Sequence, residues 1–431
     1  VNALRRGTAE TFASLHVRNF RLFFTGQIIS QVGNWLTLVA QSLLILELTN
    51  NGFAVGLLVA AQFAPVLILG PWAGLVADRS DKRKLLIAVQ SVAMAQSFAL
   101  AALAFIGHPP IWLFYAVASV GGLTMAFDNP TRRSFVVEMV PEEQVNNAVG
   151  LNSALMTSAR VFGPALAGLL ITTMGYGWAF LADALSYIAV LIALYMMRTD
   201  ELRPSPQTPK AKGQVRAGMR YVRSQRDLFV PLMMMTIVGT LAFNFSVVFP
   251  VFVKFTLHHG TTAFTLLFSV VSVGSVAGAL VAARRKVVEI RSVAVASLVF
   301  GAAMTAMSFV PNLAWAFPVG LFVGFGSISF LTTSTAIVQI KAKPEMRGRV
   351  LALQAMVFLG STPIGGPIVG WVSDTWGARY AIGLGAAAAL GAGLWGLWVV
   401  RRTAELHFDD RSLASDEAKR AEADIETLAH A

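Results

Sequence analysis

The 431-residue chain is cut into uncharged runs, each long enough to cross a bilayer, and few folds accept such a chain. A hydrocarbon core about 30 Å thick needs about 20 apolar helical residues. Residues 22–46 and 48–77 are two such runs, split by the turn signal Thr49-Asn50-Asn51-Gly52. The run 85–127 is too long for one span, and Gly107-His108-Pro109-Pro110 breaks it in two. From 144 to 197 the only charges are Arg160 and Asp183, and Gly175-Tyr176-Gly177 divides that stretch. After Arg226 and Asp227 the pattern restarts with runs at 228–253, 255–283, 292–340 (cut at Pro311-Asn312), 350–373 and 380–400. Six spans are followed by six more.

Composition excludes the other classes. Charged residues make up 13% and hydrophobic ones 55% of the chain, against about 25% charged in soluble domains. No cysteine is present, which removes disulfides and thiolate metal sites. The first 21 residues hold four arginines and no apolar core before Phe20, so no cleavable leader is expected in them. The first residue is Val rather than Met, read as an alternative start or a trimmed end.

The net charge of +11 could point to nucleic acid, but its placement points to topology. With both termini inside, all but three of the 34 Lys and Arg residues fall in inner segments, as cytoplasmic loops require. The exceptions are Arg160, Lys254 and Arg379. The division reads 1–21 cytoplasmic segment, 22–197 first six-helix half, 198–228 linker, 229–400 second half and 401–431 cytoplasmic tail. In the linker, Val215, Met219 and Val222 at helical spacing among arginines suit a helix lying on an anionic leaflet. The tail mixes acidic and basic residues and reads as a solvated helix or disordered.

Pro141 and Pro344, Glu142 and Glu345, Gly163 and Gly366, and Pro164 and Pro367 are each 203 residues apart. Equivalent points separated by six spans lie on the same side of the membrane, so the repeat is parallel rather than inverted. The expected fold is an all-α membrane protein of twelve transmembrane helices in two parallel six-helix repeats, built around a midplane cavity.

The segment GLVADRSDKRKLL (residues 74–86) resembles the loop signature of the major facilitator superfamily, G-x-L-A-D-R-x-G-R-K, with Asp81 where many members have Gly. DNPTRRSF, NNAVGLNS and ARVFGPALAG (residues 128–168) resemble the bacterial exporter branch that includes enterobactin and macrolide efflux proteins. GALVAARRK (278–286), the second-half counterpart of the first signature, has lost its acidic residue. The resemblance implies a gating motif in Gly74, Asp78, Arg79 and Arg83, with Asp78 bracing the start of span eleven near Arg349 to Leu353. A carboxylate at a helix N-terminus is favourable by about 0.3–1 kcal/mol, small enough to break in every cycle. A plain topology anchor is the other reading of Asp78.

Arg160 and Asp183 are the charges deep within the spans. At 1.5 Å rise per residue they lie about 20 and 22 Å from the inner side, a depth that suggests an ion pair. Such a pair is either functional or a lock between two helices. Gly163, Pro164 and Gly168 resemble the antiporter motif of exporting members. Here, in GGPIVG (365–370), and at Gly70 with Gly74 and Gly274 with Gly278, close helix packing is the alternative account. The resemblance places the cavity among spans one, four, seven and ten, whose mid-depth polar residues are Asn34, Gln41, Tyr115, Asn244 and Thr332. Ordinary interhelical hydrogen bonding is the alternative for each. Glu47 and Lys254, near the outer ends of spans one and seven, suit an outer gate or a headgroup contact.

GAGLWG (391–396) lies inside a span with no strand before it, so it is no dinucleotide site. The sequon at Asn244 is membrane-embedded. No Walker A sequence, metal-ligand spacing or nucleophile–base cluster is visible, so no cofactor, metal or enzymatic activity is expected. The reading is a monomeric secondary transporter in a bacterial inner membrane, both termini cytoplasmic, exporting a small organic molecule in exchange for protons. Its alternatives are a dedicated siderophore exporter against a broad drug pump, and a non-transporting membrane sensor of the same fold. Its partners are the small-molecule substrate, protons and the lipid bilayer, with no nucleic acid.

Overall fold

A computed structural model describes residues 12–106, 109–203, 214–284 and 288–402. The N-terminal arginines before residue 12, the prolines of the linker and the tail beyond Arg402 lie outside the described residues, so the expectations for those segments go no further. A short turn, Ala13–His16, leads into α1 (Arg18–Thr49). Next come α2 (Gly52–Arg79), α3 (Lys82–Ile106), α4 (Ile111–Glu138), α5 (Val145–Met174) and α6 (Tyr176–Tyr195). The linker helix α7 (Gln214–Ser224) precedes the second half. There α8 (Arg226–Leu241) and α9 (Phe245–Val251) form one interrupted span, followed by α10 (Thr261–Ala283), α11 (Ile290–Phe309), α12 (Leu313–Lys341), α13 (Pro344–Thr375) and α14 (Ala378–Arg402). Twelve of the described helices are long and apolar enough to cross a membrane.

Turn chemistry punctuates them where the uncharged runs break. Asn50 ends α1 with φ 48°, a left-handed conformation that Asn tolerates, and the Asn51 side chain accepts from Ala54 N to start α2. Gly175, at φ 95°, turns α5 into α6. The Asn312 side chain caps α12 in the same way. Within span seven the helix is interrupted between Leu241 and Phe245, with Pro250 in the following segment. The Asn244 side chain covers the gap, its Nδ2 donating to the Thr240 carbonyl at 2.7 Å. This role, rather than a place in the cavity, explains a buried Asn at that position.

The repeat expected from the 203-residue offset is visible in the packing. In the first half α1 packs on α5, α2 on α4 and α3 on α4; in the second α8 packs on α13, α10 on α12 and α11 on α12. These are the same three partnerships moved along by six spans. The halves meet where α2 runs against α13 and α5 against α10, two contacts that exchange under the repeat.

One expectation about the helices fails. The uncharged run stops at Phe127, but α4 continues to Glu138, and Arg132 inside it is 4% exposed. Arg132 is therefore not a loop charge, and Asp128 and Arg132 join Arg160 and Asp183 within the spans. An Asp and an Arg four residues apart neutralise each other on one helix face, so the helix does not have to end there.

Outward-facing apolar side chains include Ile68, Phe162, Leu169, Leu280 and Phe322, each more than half exposed. An apolar surface this extensive requires lipid. Trp112, Trp315, Trp376 and Tyr380 ring one end of the bundle and Tyr195 and Trp398 the other, the aromatic girdle of a bilayer interface.

Candidate functional site

The basic loops define one end of the molecule, and the two ends are held differently. At the end opposite the basic loops, the Asp374 carboxylate at the close of α13 accepts from Gly52 N at 2.6 Å and Phe53 N at 2.8 Å, capping α2 of the other half. α2 and α13 touch through backbone there: a methyl group at Gly56 would collide with Gly366 and one at Gly370 with Gly52, while one at Gly168 would meet the Thr265 side chain. Lys254 Nζ donates to Asn50 Oδ1 at 2.7 Å and to Leu46 O at 3.3 Å. Lys254 thus joins span seven to the turn after α1. Glu47 does not meet it and instead accepts from Tyr176 OH at 2.6 Å.

The basic end is tied within each half. In the first, Lys82 pairs with Glu138 at 2.5 Å, both nearly buried, and Arg83 Nε donates to Leu194 O at 2.6 Å, closing the last turn of α6. In the second, Lys341 pairs with Asp227 at 3.6 Å and Arg226 donates to Val399 O. Across the halves the same end is open: a methyl group at Gly74 of α2 or Gly348 of α13 would meet nothing within 4 Å. Asp78 and Arg79 are exposed, and among the described residues Asp78 has neither ion pair nor hydrogen bond, so it does not brace Arg349 to Leu353 here. Gly70 is likewise unpacked, whereas Gly274 and Gly278 press on the α12 carbonyls of Leu321 and Phe325. The molecule is clamped at one end and parted at the other.

Helix α7 lies against α13: Gly218 packs on Arg349 and Leu353, and the Tyr221 hydroxyl accepts from Lys343 N at 3.1 Å. Val222 is fully buried against protein while Met219 remains exposed, so the expected leaflet-facing stripe is split. The side chain of Val215 lies outside the described residues.

Between the halves is a cavity of about 450 Å³. The first half supplies a polar wall that includes Gln31, Asn34, Gln41, Gln62, Gln90 and Gln96. The second supplies Phe243, Phe245, Phe268, Leu331 and Phe358, with Ser272, Ser275 and Ser327. Asn34 and Gln41 are on the wall as expected, Asn34 accepting from Tyr187 OH at 2.8 Å. Tyr115 is not on it, because its hydroxyl donates to Ala54 O and ties α4 to α2. Asn244 is spent on the span-seven break, and Thr332 faces away beside the buried Thr333. The wall also draws on α2, α3, α5, α6, α10 and α13, beyond the four expected spans.

Four charged groups line this cavity. Asp128 pairs with Arg132, which also donates to Gln27; Gln90 donates to the second Asp128 oxygen at 2.6 Å. Asp183 is 1% exposed; its Oδ2 accepts from Thr37 at 2.5 Å and Ser97 at 2.8 Å, and its Oδ1 has no partner. Arg160 is exposed to the cavity, with its guanidinium 5.7 Å from the Trp35 ring. The expected ion pair between Arg160 and Asp183 does not form, since hydroxyls from α1 and α3 hold the carboxylate and an indole faces the guanidinium. Gly163 of the antiporter-like segment is what lets α5 lie against Trp35, and Pro164 stays within the helix. The Asp128–Arg132 pair escaped the charge-free count, although its four-residue spacing within a helical register was the signal for it.

Two six-helix bundles around a cavity with one polar and one aromatic wall, joined at one end and parted at the other, define a membrane transporter. Comparison with known proteins agrees: the chain belongs to the family described as transmembrane secretion effector, within the major facilitator superfamily, which matches residues 9–424. It is 24% identical over 353 residues to macrolide efflux protein A of Streptococcus pyogenes, covering 80% of this chain and 87% of that one. It is 23% identical over 368 residues to the staphyloferrin A transporter of Staphylococcus aureus, covering 83% and 90%. The solved nucleoside transporter NupG has the same fold, with TM-score 0.73 at 13% identity over 88% of this chain and 99% of that one. The chain is a multi-pass membrane transporter and not an enzyme.

Proposed function

We propose that this chain exports a small organic molecule of the siderophore or drug class across a bacterial plasma membrane, in exchange for protons, by alternating exposure of the central cavity. The observation that carries the reading is the asymmetry of the interface: the halves are held through Asp374, Lys254 and backbone contact at one end only. Relatives named as efflux and siderophore transporters support the outward direction. With the basic loops and both termini cytoplasmic, the cavity is accessible from inside, the state in which an exporter loads.

Asp183 is the group we assign to the proton. It lies on the cavity, takes hydroxyl donors on one oxygen and keeps the other free. A buried acid within a span suits reversible protonation. Asp78, with Gly74, Arg79 and Arg83, forms the inner gate: in the opposite state Asp78 meets the N-terminus of α13, where the helix dipole favours a carboxylate. The test is reconstitution of the full chain as a monomer in vesicles with an imposed pH gradient. Candidate siderophores and drugs are expected to release the gradient in a saturable way. Absence of ligand-driven proton flux for every candidate would favour a membrane sensor of the same fold.

A further inference from the structure

Among the described residues, Arg160 is the one charged side chain on the cavity with neither an ion pair nor a hydrogen bond. The other three are accounted for. Asp128 and Arg132 neutralise each other. Asp183 is 1% exposed and engaged by two hydroxyls. The Tyr187 hydroxyl, which also faces the cavity, is committed to Asn34. Around Arg160 there is no carboxylate within ion-pair distance and no hydrogen bond among the described residues, only the face of Trp35. A guanidinium offers five donors and accepts nothing. Within a span, an arginine without a counter-group is costly, and an oxygen acceptor brought by a ligand relieves that cost. An ammonium brought to the same place meets a like charge inside a protein-walled cavity, where the effective dielectric is below that of bulk water.

The opposite wall decides the rest of the ligand. Phe243, Phe245, Phe268 and Phe358 face the cavity from the second half, and Phe268 lies 6.2 Å from Trp35, so hydrocarbon begins next to the guanidinium. We propose that Arg160 is a charge filter: the cavity takes an amphiphile with a carbonyl or carboxylate oxygen at Arg160 and its hydrocarbon body on those four rings, and rejects the same body carrying an amine. This rests on the cavity being the ligand site of the transporter, and it names the specificity residue of that site. Rejection by an unanswered like charge is as much a source of specificity as a favourable contact.

The test uses one naphthyl–tetraethylene glycol body ending in a carboxylate, a carboxamide or a primary amine, with binding to the full chain measured in lipid nanodiscs. The carboxylate and carboxamide probes are expected to bind at least about tenfold more tightly than the amine. Arg160→Gln is expected to bring the three within about twofold, and Arg160→Lys to keep the order. A wild-type protein that binds the amine as tightly as the carboxamide, or binds none of the three, overturns the proposal, and so does an unchanged ratio in Arg160→Gln. The wild-type ratio needs no variant, so a misfolded substitution does not shield the idea. Proton flux is read separately in vesicles: charge preference without probe-driven flux removes the transport reading and leaves the filter, whereas flux without preference removes the filter alone.

Discussion

At the scale of single residues, the cavity separates charges that are structural from charges that are available. Asp128 and Arg132 are buried, paired and braced by Gln27 and Gln90. Removing one partner strands the other in a poorly solvated place, at a cost of about 3–5 kcal/mol. Asp128→Asn or Arg132→Gln alone is therefore expected to lower the denaturation midpoint of the purified protein markedly. The double substitution is expected to recover part of that loss, since it leaves no lone charge. Equal and additive losses would show that the two do not act as a pair. Asp183 differs, because hydroxyls rather than a cation hold it. Asp183→Asn keeps the shape and is expected to fold and bind ligand, while ligand-driven proton flux in vesicles falls by at least about tenfold. Retained flux would move the proton site elsewhere.

At the scale of elements, the contact of α2 with α13 is set by glycine. Gly52, Gly56, Gly366 and Gly370 let two backbones touch across the halves. Gly56→Leu cannot be accommodated with the ends together. In a chain with no native cysteine, a single Val251→Cys, buried beside Gly52 of the other half in this state, is then expected to react with a membrane-impermeant maleimide faster than in the parent background. An unchanged rate would show that the glycines do not control closure. Asp374→Ala removes two cap hydrogen bonds, worth about 1 kcal/mol, and is expected to raise the same labelling rate about fivefold. These elements also show what the sequence makes legible. Spans follow from uncharged runs and turns from Asn50-Asn51, Gly175 and Asn312, because each is a local consequence of chain chemistry. The 203-residue offset foretells that the second half repeats the first in the same orientation. The carboxylate ligands of Asp183 come from residues 146 and 86 positions away, and the Asp374 cap from 322 positions away. No spacing rule reaches that far. The end of α4 was obscured for a different reason: a charge count treats Asp128 and Arg132 as two stop signals, whereas helical spacing makes them one neutral pair.

At the scale of the whole molecule, each half is fastened to itself and the two are fastened to each other at a single end. Lys82 with Glu138 and Arg83 with the end of α6 stiffen one half at the basic face; Lys341 with Asp227 and Arg226 with α14 stiffen the other. Such bodies tilt as units, and the cavity between them is then offered to one side at a time. The polar cross-half ties that must break, Asp374 to Gly52 and Phe53 and Lys254 to Asn50 and Leu46, are exposed or partly buried, and a ligand or proton that binds the two states unequally shifts the balance between them. Paired spin labels measure this directly. Ser80→Cys with Gly348→Cys reports the basic end, and Thr49→Cys with Thr375→Cys the opposite end, each pair spanning the halves. Distances are compared at high and low pH and in Asp183→Asn. The account predicts two populations at each end that change reciprocally, the basic-end distance shortening as the opposite one lengthens. Distances that move in the same direction, or a basic-end distance that never changes while flux continues, would contradict it.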